Sequence, residues 1–286
     1  MNLPLHFAET TLGRVSYRKI GDGSRKILFF HGFPGSSAQI QIFNNLVSSL
    51  DLEVICFDRP GYNGTHIQTN EMLKDTLCIC EELVKLHHWS QIEVVTLSGG
   101  TPYGLSLALQ KPYLVSKCHI VCGLGYLNNP QVRKLFSFLK IFVLSILPKV
   151  PGSLLRRLIS PEFKKNKASN KKNYLFEFFY PRSASDIEVT AQGPVAQSVQ
   201  LALAEAFRFH SLGPQYDSQV FLSNWGAQLS TLQQPIHFWH GDTDFVIPHK
   251  VSQIMSQLIP QAELTIIANE GHLSLPIRHM NQVLKE

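Results

Sequence analysis

The sequence predicts an α/β fold in which a mostly parallel, eight-stranded sheet is covered by helices and interrupted by a helical insertion. Three observations predict it. Apolar runs at residues 27–30, 54–57 and 94–97 lack strict polar alternation, as strands buried on both faces do. A stretch with helical spacing follows each run, the rhythm of strand–helix units. That rhythm stops after Gly123-Leu124-Gly125, gives way to helical patterning, and resumes at Gln234-Pro235.

Taken in order, residues 3–9 and 14–20 read as two strands joined by a turn at Leu12-Gly13. The cluster Gly21-Asp22-Gly23-Ser24 makes the next turn. Residues 26–31 form a buried strand, with a helix expected over 39–50. Residues 53–57 are a strand before a helix at 71–88, and 92–97 lead through Ser98 into a helix ending at Gln110. Strands at 117–122, 236–239 and 264–267 complete the sheet, with right-handed crossovers between parallel neighbours. The expected division is a core of residues 1–124 and 226–286 with a helical cap at 125–225. Within the cap, Leu135, Leu139, Phe142 and Ile146 fall at helical spacing and predict an apolar stripe packed on the core or lining a substrate pocket. The run at 136–147 contains Lys140 and is too short to span a bilayer. The basic stretch 164–172 reads as an exposed loop.

The chain has 286 residues, 44% hydrophobic and 16% charged, with a net charge of +5. Residues 126–225 carry 13 Lys and Arg against 6 Asp and Glu, and the remainder carries 13 against 15. The excess therefore belongs to the insertion. No basic segment is interleaved with aromatics, so nucleic acid is not an expected partner. A weak contact with anionic lipid surfaces through the cap is the partner its basic flanks suggest. The five cysteines are an odd set. Cys78 and Cys80 point apart on a helix, while Cys118 and Cys122 share a strand face. Buried thiols in a reducing compartment account for them. Residues 1–13 include Glu9 and no apolar stretch of signal-peptide length, so a cytoplasmic protein is expected.

Chemistry is concentrated where strands end. Val94-Val95-Thr96-Leu97-Ser98-Gly99-Gly100 runs a strand into a serine and two glycines, the way a sharp turn exposes a hydroxyl above a sheet. Against the pattern G-x-S-x-G, Ser98 and Gly100 match and Thr96 replaces the first glycine. A serine hydroxyl needs a base held by a third group. His272, between a strand and the last helix, is the candidate base. Asp242 and Asp244, on the loop after Trp239, are the candidate acids. Gly99 starts the helix after the serine, so its N–H is placed to stabilise negative charge. His31 and His240 end strands before glycines and read as loop-shaping, and His87-His88 lie at a helix C-terminus. No metal-ligand spacing and no phosphate loop are present in the sequence, and no cofactor is expected.

With His31-Gly32-Phe33-Pro34-Gly35-Ser36 upstream, the order is loop, serine, acid, histidine. The chain resembles the α/β-hydrolase fold family over essentially its full length. Within it, the chain is most similar to a small bacterial esterase-like branch carrying HGxPGS, DRPGYG and SGGxPY segments. Phe57-Asp58-Arg59-Pro60-Gly61-Tyr62 supplies the second segment, with Asn63 in place of its last glycine. The resemblance implies a catalytic triad of Ser98, Asp244 and His272, with Asp244 preferred by the H-G-x-x-D pattern. It also implies an oxyanion hole formed by Phe33 and Gly99. The implied reaction is cleavage of a small-molecule carboxylic ester through an acyl-enzyme, and the apolar stripe of the cap adds the expectation that the ester is hydrophobic. The same triad could serve C–C or amide hydrolysis or acyl transfer, and a non-catalytic binding protein on this scaffold is the alternative from another class.

Overall fold

The computed structural model describes residues 3–67, 71–151, 154, 181–191, 193–208 and 212–286. The strands are β1 (His6–Thr10), β2 (Gly13–Gly21), β3 (Arg25–Phe30), β4 (Leu52–Phe57), β5 (Ile92–Leu97), β6 (Val115–Val121), β7 (Ile236–Gly241) and β8 (Ala262–Ile267). They form one eight-stranded sheet in the order β1-β2-β4-β3-β5-β6-β7-β8. β1 with β2 and β2 with β4 are antiparallel, and every later pair is parallel.

Alternate residues of the central strands feed two cores. Leu28, Phe30, Val94 and Ile120 pack beneath α1 (Met72–Leu86) and α2 (Thr101–Gln110). Ile27, Phe29, Val95 and Val121 pack on the other face against Phe43, Leu275 and Met280. Both faces are dry, which is why these strands show no polar alternation. Each such side chain contributes about 1.5–3 kcal/mol by leaving water. Cys56, Cys80, Cys118 and Cys122 are buried among them, all five cysteines are free, and burial pushes these four thiols up. Cys122 lies just past the end of β6 with φ of 48°, not on the strand face with Cys118.

Among the described residues, only helices occur between β6 and β7. They are α3 (Pro130–Arg133), α4 (Phe138–Ile146), α5 (Ala184–Ala191), α6 (Gly193–Ala206) and α7 (Leu212–Leu222), apart from short 3-10 turns at Leu147–Lys149 and Leu229–Thr231. Helices α8 (Lys250–Gln257) and α9 (Ser274–Val283) flank β8. The basic stretch 164–172 lies outside the described residues. No helix among the described residues is long and apolar enough to cross a membrane.

Two local expectations change. The helix expected over 39–50 is a 3-10 helix, Ser37–Phe43, continued by turns whose bonds run from Asn44 N to Gln41 O and from Leu46 N to Phe43 O. Asn44, Asn45, Ser48 and Ser49 favour turns over α-helix because their side chains compete for backbone groups. The stripe expected on α4 does not pack inward. Ser137 caps the helix, leaving Leu135 outside it, and Lys140 Nζ donates to Val246 O at 3.2 Å. Lys140 and buried Ile141 therefore face the core, while Phe138 (84% exposed), Leu139, Phe142 and Ile146 face outward.

Candidate active site

Ser98 directly follows β5 with φ of 53°, a left-handed conformation sparsely populated by residues with side chains. The turn is crowded. A Cβ on Gly99 would lie 2.5 Å from Phe33 Cβ and 2.8 Å from Phe221 Cζ, and one on Gly100 would lie 2.5 Å from Phe30 O. Both positions require glycine. Thr96, where the motif has its first glycine, is accommodated from the other side. Its Cγ2 occupies the space next to Gly104 of α2, where a Cβ would be only 2.2 Å away. The small residue that close strand–helix packing needs has moved from the strand to the helix. Asn63 replaces a glycine for a related reason, with φ of 40°, which asparagine tolerates, and with Nδ2 donating to Asp58 at 3.0 Å.

His272 lies in the turn between β8 and α9, and its Nδ1 is 2.7 Å from Asp244 Oδ2. Asp244 Oδ1 accepts the Val246 and Ile247 amides at 2.9 Å each. A second histidine completes the carboxylate's shell. His240 Nε2 lies 3.1 Å from Asp244 Oδ2 and 2.9 Å from Ile247 O, and Nδ1 is 2.7 Å from the Ser252 hydroxyl. A carbonyl only accepts, so His240 Nε2 carries the proton. Burial alone would raise the Asp244 carboxyl, but His272 and His240 beside it hold it well below the usual carboxylate range. An ionised Asp244 fixes the His272 proton on Nδ1 and leaves Nε2 as the basic nitrogen. Asp242 is exposed and instead accepts the Asn269 amide at 2.7 Å, shaping the turn after β8. Reading His240 as a loop residue missed this contact, although its i,i+4 spacing to Asp244 was visible.

Phe33 and Gly99 are neighbours: a Cβ on Gly99 would lie 3.4 Å from Phe33 N. The loop carrying Phe33 is held along its length. Gly32 N donates to Gln39 Oε1 at 2.7 Å, and Arg59 Nη1 donates to His31 O at 2.6 Å. Ser37 N donates to Asp58 Oδ1 at 2.6 Å. Burial, with Arg59 alongside, holds His31 well below the ordinary histidine range, so it is neutral and shapes the loop. Asp58 and Arg59 are thus fully buried parts of the loop's scaffold, a role that their sequence segment alone does not specify.

Ser98 and His272 line one cavity of about 780 Å³, together with Phe33 and Leu97. Among the described residues no hydrogen bond joins the two side chains; such bonds often tighten only when substrate is bound. The far walls come from Ile42, from Val195, Val199 and Leu203 of α6, and from Ile277 of α9, interspersed with the uncharged polar side chains of Gln41, Asn44, Asn45 and Gln197. His272 is the only ionisable lining residue among those described. Helix α6, not α4, builds the wall. Cys122, His240 and Asp244 lie close enough together to hold a metal ion. The donor set does not suit one, because burial and Asp244 hold the thiol protonated and both His240 nitrogens are engaged.

A family model described as the alpha/beta hydrolase fold matches residues 26–277. No curated protein matches the sequence significantly. Among solved structures, a thermophilic esterase from Thermogutta terrifontis is similar, with a TM-score of 0.71 and 14% identity over 99% of this chain and 96% of that one. The esterase EaEST from Exiguobacterium antarcticum gives 0.72 at 15% identity, covering 98% and 96%. A bromoperoxidase from Bacillus anthracis gives 0.70 at 15% identity, covering 99% and 100%. At these identities the likeness shows the fold.

Proposed function

The chain belongs to the alpha/beta hydrolase fold family, and from that premise we propose that it is a serine hydrolase cleaving carboxylic esters through an acyl-enzyme on Ser98. The observation that carries this reading is the 2.7 Å contact between His272 Nδ1 and Asp244 Oδ2, on a histidine that shares a cavity with Ser98. With its Nδ1 proton on Asp244, His272 accepts the Ser98 proton at Nε2 as Oγ attacks the ester carbon. The N–H groups of Phe33 and Gly99 stabilise the oxyanion of the tetrahedral intermediate. His272 then gives the proton to the leaving alcohol. A water activated by the same nitrogen releases the acid and restores Ser98.

The walls of the cavity support an uncharged, hydrophobic substrate. No charged side chain among the described lining residues could pair with a carboxylate or ammonium, and an unpaired charge taken out of water is costly. In this reading residues 125–225 act as the cap. The similarity to an esterase-like branch rests on the three motifs. A reducing, cytoplasmic setting suits the five free thiols. The outward apolar face of α4, near Arg133 and Lys149, supports weak contact with anionic lipid surfaces, readable by vesicle co-sedimentation.

The test is kcat/KM on p-nitrophenyl esters from acetate to decanoate and on a chain-length-matched ester ending in a carboxylate. Rates should rise with acyl length over the first several carbons and drop at least about tenfold for the charged ester, the scale of an unpaired charge. Ser98→Ala should remove at least about three orders of magnitude of kcat while the protein stays folded. No turnover of any ester by the wild-type protein would overturn the proposal.

A further inference from the structure

Three helices between β6 and β7 each send one buried carboxylate to a different loop of the candidate site. Asp186 of α5 is fully buried. Its Oδ1 accepts the amides of Leu273 and Ser274 at 2.9 Å each, and Oδ2 accepts the His272 amide at 3.2 Å. The carboxylate thereby satisfies the free N–H groups at the start of α9, a capping role ordinarily taken by the residue just before a helix. Here it comes from 86 positions earlier in the chain. Gly271 makes the approach possible, since a Cβ there would lie 2.3 Å from Asp186 Oδ2.

Glu205 of α6 takes Arg18 bidentately at 2.7 and 2.9 Å and accepts the Ser36 hydroxyl at 2.7 Å. Ser36 closes the loop that carries Phe33 and caps the 3-10 helix behind it. Asp217 of α7 accepts Arg59 Nε at 3.0 Å and Nη2 at 2.5 Å, together with the hydroxyls of Tyr62 and Tyr103 at 2.8 and 2.6 Å. Arg59 in turn holds the His31 carbonyl, and Tyr103 belongs to α2, which starts from the Ser98 turn.

We propose that Asp186, Glu205 and Asp217 are positioning residues for the reaction. Asp186 fixes the turn of His272, Glu205 fixes the loop of Phe33, and Asp217 fixes the join between that loop and the Ser98 helix. The helical segment is then part of the catalytic apparatus as well as a cover over it. This inference rests on the serine hydrolase reading. Charge-assisted hydrogen bonds to buried carboxylates are short and directional, so each restrains the loop it meets. Reaction geometry is sensitive to small shifts, and a displacement of about 1 Å can cost about a hundredfold in rate.

The experiment takes full-length protein and measures kcat, KM and Tm for Asp186→Ala, Asp186→Asn and Val189→Ala. Val189 is a buried α5 residue with no hydrogen bond to the histidine turn and serves as the stability control. Asp186→Ala should lower kcat about 10- to 100-fold with KM within about threefold. Asp186→Asn, which keeps the size and one accepting oxygen, should fall between wild type and alanine, and it carries the test if the alanine variant does not fold. Val189→Ala should lower Tm and leave kcat within about twofold. Glu205→Gln should lower kcat in the same manner as Asp186→Asn, with KM again little changed. Wild-type turnover with kcat unaltered in folded Asp186 variants would overturn the inference and leave the hydrolase reading standing. A kcat loss in Val189→Ala matching that of Asp186→Ala would also overturn it. Absence of wild-type turnover would instead fail the hydrolase reading itself.

Discussion

At the ends of the strands, each candidate residue is fixed by its own turn. Ser98 is held by the glycines beside it, and Asp244 by the amides two and three residues later. In the helices between β6 and β7 the relation is long-range. Asp186, Glu205 and Asp217 act on residues 86, 169 and 158 positions away, while the most apolar helix there, α4, turns its large side chains outward. The difference teaches how a fold divides labour. Strand turns place the candidate groups locally, and the helical segment supplies cavity walls and buried carboxylate contacts that exist only once the chain is folded.

That contrast can be broken first at its strongest point, the loop after β7. Asp244→Asn should lower kcat by about four orders of magnitude, because the amide no longer fixes the His272 proton on Nδ1. Asp242→Asn, two residues away, should stay within about threefold. Steady-state kinetics on one ester checks both, and equal losses would move the acid to Asp242.

A second comparison pits α6 against α4. Val199→Asp puts a carboxylate on the cavity wall and should lower kcat/KM for a decanoate ester about 10- to 100-fold. Phe142→Asp, on the outward face of α4, should leave it within about twofold. If the α4 substitution were the damaging one, the cavity assignment would be wrong.

Most of the sheet and the order of the candidate site residues are legible in the sequence, because strand, turn residue and candidate side chain are adjacent in the chain. Ser98 with Gly99 and Gly100 is one such unit, and Asp244 with the strand before it is another. The direction of α4 is not legible in that way. Its apolar residues satisfy helical periodicity on more than one side, and the choice was made by Lys140 reaching a carbonyl 106 positions away. Asp186 was equally hidden, since a carboxylate near a helix start reads as a cap for its own helix. Gly104 stood between these cases. It was visible in the chain, but its link to Thr96 needed the strand–helix packing.

That link gives a third, smaller test. Gly104→Ala should destabilise the protein by about 1–3 kcal/mol through the clash with Thr96 Cγ2, and Thr96→Ala should relieve most of that loss. Additive losses in denaturant melts would show that the two sites are not coupled.

A pH dependence of stability follows from two buried histidines at and within the sheet. His31 and His119 are buried, and burial lowers both below the ordinary histidine value of 6.5. The unfolded chain therefore binds protons that the folded one does not as pH falls through about 6.5, with a slope of up to about 1.4 kcal/mol per pH unit for each histidine. Asp244, held low, loses its contribution only below the usual carboxylate range, near about pH 4. Tm should thus decrease between about pH 7.5 and 5, and a flat or rising Tm would contradict the buried, neutral histidines.

The most direct test of the central claim is labelling with a fluorophosphonate probe followed by peptide mapping. The probe reacts with a serine only where a base and an oxyanion hole activate it. One label per chain is expected, on the peptide carrying Ser98, abolished in Ser98→Ala and strongly slowed in His272→Ala. A folded wild-type protein that takes no label, or takes it on another serine, would contradict it.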